Sequence, residues 1–167
     1  MKFKSNTYGS CNVNQIVNLI VNKIEESNTD WVLAIGTDSQ NKRNTTKFCE
    51  VILLHEVGKG GIFFYRTHFE DKIDVLQNRM LEEAQYSIEL AKEVIEALDS
   101  QYFEREFDFT EHNIKLEIHC DLGVNGKSKV AVKSAIGWIA AEFGGLVTTR
   151  IKPDSPAASY IADIHTK

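Results

Sequence analysis

Trp31-Val32-Leu33-Ala34-Ile35-Gly36-Thr37-Asp38 is a short, almost wholly apolar run that closes on a carboxylate. A run with apolar residues at successive positions, rather than alternate ones, predicts a central strand covered on both faces. A second run, Ile114 to Cys120, also ends on an acid, Asp121, but it alternates strictly. Ile114, Leu116, Ile118 and Cys120 share one face, while Lys115, Glu117, His119 and Asp121 share the other. Laid parallel and side by side, two such strands hold their terminal carboxylates close together, a geometry that invites a divalent cation.

The flanking segments say how those two strands meet. Upstream, Ile16, Val17, Leu19, Ile20, Val21 and Ile24 predict a helix over Asn14–Glu26, capped by Asn12 or Asn14 and followed by the turn cluster Ser27-Asn28-Thr29-Asp30. Downstream of Asp38, the polar and basic stretch Ser39–Thr46 reads as a hairpin loop. Phe48–Val57 and Ile62–Phe69 are two further strands joined by Gly58-Lys59-Gly60-Gly61. Helical spacing of Ile73, Leu76, Met80, Ala84, Ile88, Ala91, Ile95 and Leu98 predicts a long helix over Ile73–Leu98. After Asp121 come a helix from about Ser128 to Phe143, ended by Gly144-Gly145, and a strand over Leu146–Ile151. A short last helix starts at Ser155-Pro156 and runs through Ile164.

This order predicts topology. The first three strands form an antiparallel meander, and the long helix is a right-handed crossover that delivers the fourth strand to the free edge of the first. The expected architecture is α/β: a five-stranded mixed sheet of order 3-2-1-4-5, strand 2 antiparallel, with helices on both faces. Residues 1–167 form one domain, in which 1–29 is a helical extension. The C-terminal ends of strands one and four then meet where connections diverge, the place where open α/β sheets bind ligands.

Further acids gather at that edge. Glu83 falls on the buried stripe of the long helix, where a carboxylate is costly unless paired or metal-bound. The last helix offers Asp163, and the loop before it Asp154. An all-oxygen set of this kind suits Mg²⁺ or Mn²⁺, and two such ions serve phosphodiester hydrolysis. Each acid also has a plainer reading: Asp38 as a turn former, Glu83 as an ion-pair partner of Arg79, Asp163 as a surface charge or a partner of His165. His119 reads as a polar filler beside Asp121, or as a residue that orients a ligand. Lys42, Arg43 and Lys47 beside the loop after Asp38, Lys127 and Lys129 after Asp121, and Arg150 and Lys152 after the fifth strand are candidates for phosphate contacts.

Composition sets bounds. The net charge of −5 argues against indiscriminate coating of nucleic acid but leaves room for a local basic rim. No apolar stretch approaches the roughly 20 residues of a membrane span. The opening Met1-Lys2-Phe3-Lys4 lacks the apolar segment of a signal peptide, and Cys11, Cys49 and Cys120 show no paired spacing. A cytoplasmic protein with reduced thiols is expected. The face of Lys115 and Glu117 has only the short last helix to cover it, the ground for expecting that a second copy could help as a homodimer.

Thr37-Asp38-Ser39, Asn78-Arg79-Met80 and Cys120-Asp121 resemble, in chain order, the signature positions of ribonuclease H. More closely, Ile35-Gly36-Thr37-Asp38-Ser39-Gln40, His119-Cys120-Asp121-Leu122-Gly123 and Lys152-Pro153-Asp154-Ser155-Pro156-Ala157-Ala158-Ser159 with Ala162-Asp163 resemble the YkuK-type predicted nucleases of the ribonuclease H-like superfamily. The resemblance covers nearly the whole chain and implies metal-dependent phosphodiester hydrolysis of RNA or DNA. By it, Asp38 matches the acid that bridges both metals and Asp121 the fourth-strand ligand. The helix acid is Glu82 by the match to Asn78-Arg79-Met80 and Glu83 by burial. The last acid is Asp163 or Asp154. The rival reading on the same fold is a catalytically inactive module that binds nucleic acid or protein.

Overall fold

The computed structural model describes residues 2–121 and 129–167. In chain order the elements are β1 (Phe3–Ser5), β2 (Gly9–Cys11), α1 (Val13–Glu25), β3 (Trp31–Asn41), β4 (Thr45–Glu56), β5 (Gly60–Asp71), α2 (Leu76–Arg105), β6 (Ile114–Cys120), α3 (Lys129–Phe143) and β7 (Val147–Ile151). A π-helical turn, Ala157–Ala162, then runs into α4 (Asp163–Thr166). The start of α1 is set by a reciprocal cap. The Asn12 side chain accepts from the Gln15 N–H at 2.9 Å, and the Gln15 side chain accepts from the Asn12 N–H at 2.9 Å.

All strands form one sheet of order β2-β1-β5-β4-β3-β6-β7. The expected five stand in the expected sequence as β5-β4-β3-β6-β7, with β3 and β6 parallel and β4 antiparallel to both its neighbours. The sheet has seven strands rather than five, because the β1–β2 hairpin is added along β5 through a Lys4–Tyr65 pairing. Strands of three residues carry too little alternation to be legible, yet they cover what would otherwise be an exposed edge. Phe3 is fully buried there.

Two further boundaries differ from expectation. β3 continues to Asn41 and β4 begins at Thr45, so the hairpin turn is 42–44 and Asp38 lies inside the strand instead of at its end. The polar extension holds because its side chains bond locally. Asn41 accepts from the Thr46 hydroxyl at 2.7 Å and donates to the Ile73 carbonyl at 3.0 Å. The long helix starts later and ends later than its apolar spacing indicates, running to Arg105, which pairs with Glu25 of α1.

The layers follow from side-chain parity. Leu33, Ile35, Ile52, Leu54, Leu116, Ile118 and Val147 form the principal core with apolar residues of α1, α2 and α3. Across the sheet, Ala34, Cys49 and Val51 pack against Ala157 and Ala162 of the last helical segment. That segment can lie so close because residue 36 is glycine. A Cβ there would stand 2.7 Å from the Ala158 nitrogen. Among the described residues no helix is long and apolar enough to cross a membrane.

Candidate active site

The parallel register pairs Thr37 with Cys120, so Asp38 and Asp121 are the next residues on adjacent main chains, about 5 Å apart as strands. They share the parity that faces the last helical segment, while Thr37 and Ser39 face α2. The Thr166 hydroxyl lies 2.9 Å from Asp38 Oδ2 and also 3.0 Å from the Asp163 carbonyl oxygen. Burial pushes the Asp38 carboxyl up from 3.8 to about 6. The Thr166 bond opposes that rise, and the negative charges of Asp121 and Asp163 add to it.

Glu83 enters from α2, buried as its place on the apolar stripe predicts. Its Oε1 accepts from the Ser39 hydroxyl at 2.5 Å. Burial pushes its carboxyl up from 4.5 to about 8; Ser39 and Arg79 pull it down, Asp38 and Asp121 push it further up. One turn on, the Ser87 hydroxyl lies 2.9 Å from both Thr37 Oγ1 and the Glu83 carbonyl, tying α2 to β3. The two remaining acids are met by ammonium groups. Lys152 Nζ lies 2.8 Å from Asp121 Oδ1, and Lys167 Nζ lies 2.6 Å from Asp163 Oδ2. The bond to Asp121 raises the Lys152 pKa.

The fold therefore brings Asp121 and Asp163 within electrostatic reach of Asp38, and Asp38 and Asp121 within reach of Glu83. Asp154 is exposed on the loop after β7, and Glu82 is half-exposed on a side of α2 where its charge is felt by Tyr86. Between Glu82 and Glu83 the geometry brings Glu83 to the strand ends. Asp163 pairs with Lys167 rather than His165, whose ring stacks on Tyr65 at 3.7 Å. Of the candidate phosphate contacts, Lys152 stands at the acids, Lys42 donates to the Gln40 side chain at 2.6 Å, Arg43 is exposed in the turn, and Lys129 is exposed at the start of α3. Lys127 lies outside the described residues.

His119 has a more definite place than a filler. Its Nδ1 accepts from the Ala157 N–H at 3.1 Å, so Nε2 carries the proton toward Glu117 Oε2 at 2.9 Å. Arg150 grips the other oxygen of Glu117, with Nε at 3.1 Å and a terminal nitrogen at 3.0 Å. Burial lowers the His119 pKa, against the pull of Glu117, which keeps the ring in this neutral form. The relay pins the segment carrying Asp163 and Thr166 onto β6. It also buries Glu117 within a single chain, which removes the ground for expecting a partner subunit over that carboxylate. Alternation along β6 singled out Glu117 and His119. Ser39 and Thr166 were missed, although Thr166 is three residues from Asp163, one turn of helix away.

Among the described residues no three His, Cys, Asp or Glu side chains are drawn together tightly enough to hold an ion. The donor chemistry nevertheless fits a hard divalent cation. It is a set of carboxylates, two of them held partly protonated by burial and mutual repulsion, while the neighbouring Cys120 thiol is pushed up to about 12 by burial.

The chain matches the family model described as Ribonuclease H-like over residues 15–167. It is 32% identical over 146 residues to a protein of Bacillus subtilis (strain 168) described as uncharacterized protein YkuK, covering 86% of this chain and 83% of that one. A crystal structure of RNase H1 from the halophilic archaeon Halobacterium salinarum NRC-1 overlays on 79% of this chain and 95% of its own. The TM-score is 0.40 and the identity 12%. On the family match and the YkuK relative, this chain belongs to the ribonuclease H-like family, in its YkuK-type branch.

Proposed function

We propose that the chain is a cytoplasmic, Mg²⁺- or Mn²⁺-dependent nuclease that hydrolyses nucleic-acid phosphodiester bonds, with Asp38, Glu83, Asp121 and Asp163 as its metal ligands. The observation that carries this reading is the convergence of acids from β3, α2, β6 and α4. Asp38 feels Asp121 and Asp163, Glu83 feels Asp38 and Asp121, and that repulsion adds to the burial that pushes Asp38 to about 6 and Glu83 to about 8. Such repulsion is the strain that bound cations relieve, and buried acids in a cleft with shifted pKa values mark functional sites. Two bound ions would supply the charge that orients attacking water and stabilises the departing oxygen. The chain's own groups do the rest. Ser39 and Thr166 hold the Glu83 and Asp38 carboxyls in place, and the His119 relay fixes the segment that bears Asp163. Lys152, beside Asp121, is suited to exchange that carboxylate for a phosphate oxygen. Lys42, Arg43 and Lys129 seat the backbone on either side.

One observation favours the rival, non-catalytic reading: Thr166, Ser39, Lys152 and Lys167 each already engage one oxygen of an acid from within the chain, although Lys152 meets the buried Asp121 Oδ1 as an ion pair without an aligned hydrogen bond. The test is hydrolysis of RNA, DNA, hybrid and branched substrates with Mn²⁺, beside Mn²⁺ titration by calorimetry. Cleavage of at least one substrate is expected. Asp38→Asn and Asp121→Asn should each lower it by more than about 100-fold, since losing even an outer partner of a metal ligand typically costs 10–100-fold. A protein that neither binds Mn²⁺ nor cleaves any substrate is the inactive module.

A further inference from the structure

The face of the sheet that carries Asp38 is only partly covered by the last helical segment, and the uncovered part has an unusual composition. Paired residues on neighbouring strands point the same way, so the register maps it row by row. The row of Asp38 continues through Cys49 of β4 to Thr67 of β5. The next row outward is Gln40, Lys47 and Phe69. The row inward ends on Tyr65, beside which β1 sets Lys4. Phe63, Tyr65 and Phe69 thus line one side of β5, and Phe69 is 60% exposed. The His165 ring lies flat on Tyr65, tilted at 10°, with Phe63 at 6.0 Å. His165 is the residue before Thr166, which bonds Asp38. Neither Lys4 nor Lys47 enters an ion pair among the described residues. Asp71 is the next residue outward on this face of β5.

We infer that this face binds a single strand of nucleic acid leading to or from the acids, its bases stacked on Phe69 and the open rim of the Tyr65–His165 pair and its phosphates against Lys47 and Lys4. Aromatic rings interleaved with unpaired lysines on an open sheet match the two faces of a single strand, the base plane and the charged backbone. A duplex cannot use them, because its bases are already stacked on one another. Phe69 stands two strands across and two residues along from Asp38, about 10 Å and 7 Å, a short reach for an extended strand. The inference deepens the nuclease reading and rests on it for the direction of the strand.

The test measures binding apart from cleavage. A short labelled oligonucleotide, as RNA and as DNA, single-stranded or annealed to its complement, is titrated with the whole protein without divalent metal, with anisotropy as readout. The single strand should bind more tightly than the duplex. Phe69→Ala should weaken it on the order of 10-fold. Lys47→Ala should reduce the slope of log affinity against log salt by about 1. Phe103→Ala, at the far end of α2 and 85% exposed, should change nothing. Equal binding of duplex and single strand, no binding at all, or a Phe69→Ala protein with unaltered affinity overturns the inference. So does a Phe69→Ala change in sedimentation without a change in affinity, which would mean that the face meets a second copy. Cleavage with Mn²⁺ that survives alongside Phe69-independent binding removes this inference and leaves the nuclease. Phe69-dependent binding without any cleavage does the reverse.

Discussion

Glu83 and Asp38 hold their protons at pH values where an ordinary carboxylate has lost them, and the cause in both is burial beside like charge. A cation that binds these oxygens must displace those protons, so Mn²⁺ affinity should climb with pH, most steeply below about 6 where both acids are protonated, more gently up to about 8, and level off above. Calorimetry in buffers across that window checks this. Glu83→Gln should flatten the upper part of the climb, and an affinity indifferent to pH would count against these acids as ligands. Lys152→Ala is expected to tighten Mn²⁺ binding by removing a competing ammonium 2.8 Å from Asp121, while weakening oligonucleotide binding. At this scale the two strand acids were legible because a charged residue closing an apolar run is conspicuous. Glu83 was separable from Glu82 only by burial. Ser39 and Thr166 were not legible, since a hydroxyl in a polar stretch carries no periodicity.

Among elements, the last helical segment depends most on a single position. It lies against β3 at Gly36 and hangs from His119 through the Ala157 N–H. Gly36→Ala sets a methyl 2.7 Å from the Ala158 backbone nitrogen, which has no flexible end to give way. The segment must lift, carrying Asp163 and the Thr166 hydroxyl with it. The expected cost is about 1–3 kcal/mol in urea unfolding, as for overpacked cores. A drop in Mn²⁺ affinity should accompany it, opposite in sign to the gain expected of Lys167→Ala, which only removes the ammonium 2.6 Å from Asp163. Unchanged stability would show that the contact relaxes elsewhere. The five principal strands and the helices were legible from apolar spacing, but β1 and β2 were not, because three-residue strands are defined by their partner and not by their own pattern.

For the molecule as a whole, the site acids act against folding. A carboxyl whose folded pKa is raised favours the native state while both states are protonated. It loses that advantage as pH rises from the unfolded to the folded value, here 3.8 to about 6 for Asp38 and 4.5 to about 8 for Glu83. Glu50 works the other way. Burial would raise its pKa, but His68 and Arg66 more than offset that, and the stability it contributes is lost as pH falls through the acid range. The metal-free protein should therefore melt highest in mildly acidic buffer and lower toward pH 8. At pH 8 Glu83→Gln should raise the midpoint by a few degrees, as about 1 kcal/mol moves a domain of this size by roughly 2–4 °C. Mn²⁺ at 100 times its Kd should add about 2.7 kcal/mol. Thermal melts from pH 4 to 9, with and without Mn²⁺, decide it; a wild type that melts highest at pH 8 without metal would refute the account.

The residues alone determined the fold class, the order of the principal strands and the parallel pairing that sets Asp38 beside Asp121, because apolar periodicity and crossover handedness are local properties that constrain topology. What holds each acid, how closely the last helical segment approaches Gly36 and which aromatic rings stay open on β5 were decided only by tertiary packing. Those features depend on pairs distant in the chain, such as Asp38 with Thr166 and Ser39 with Glu83, whose meeting leaves no trace in the neighbourhood of either residue.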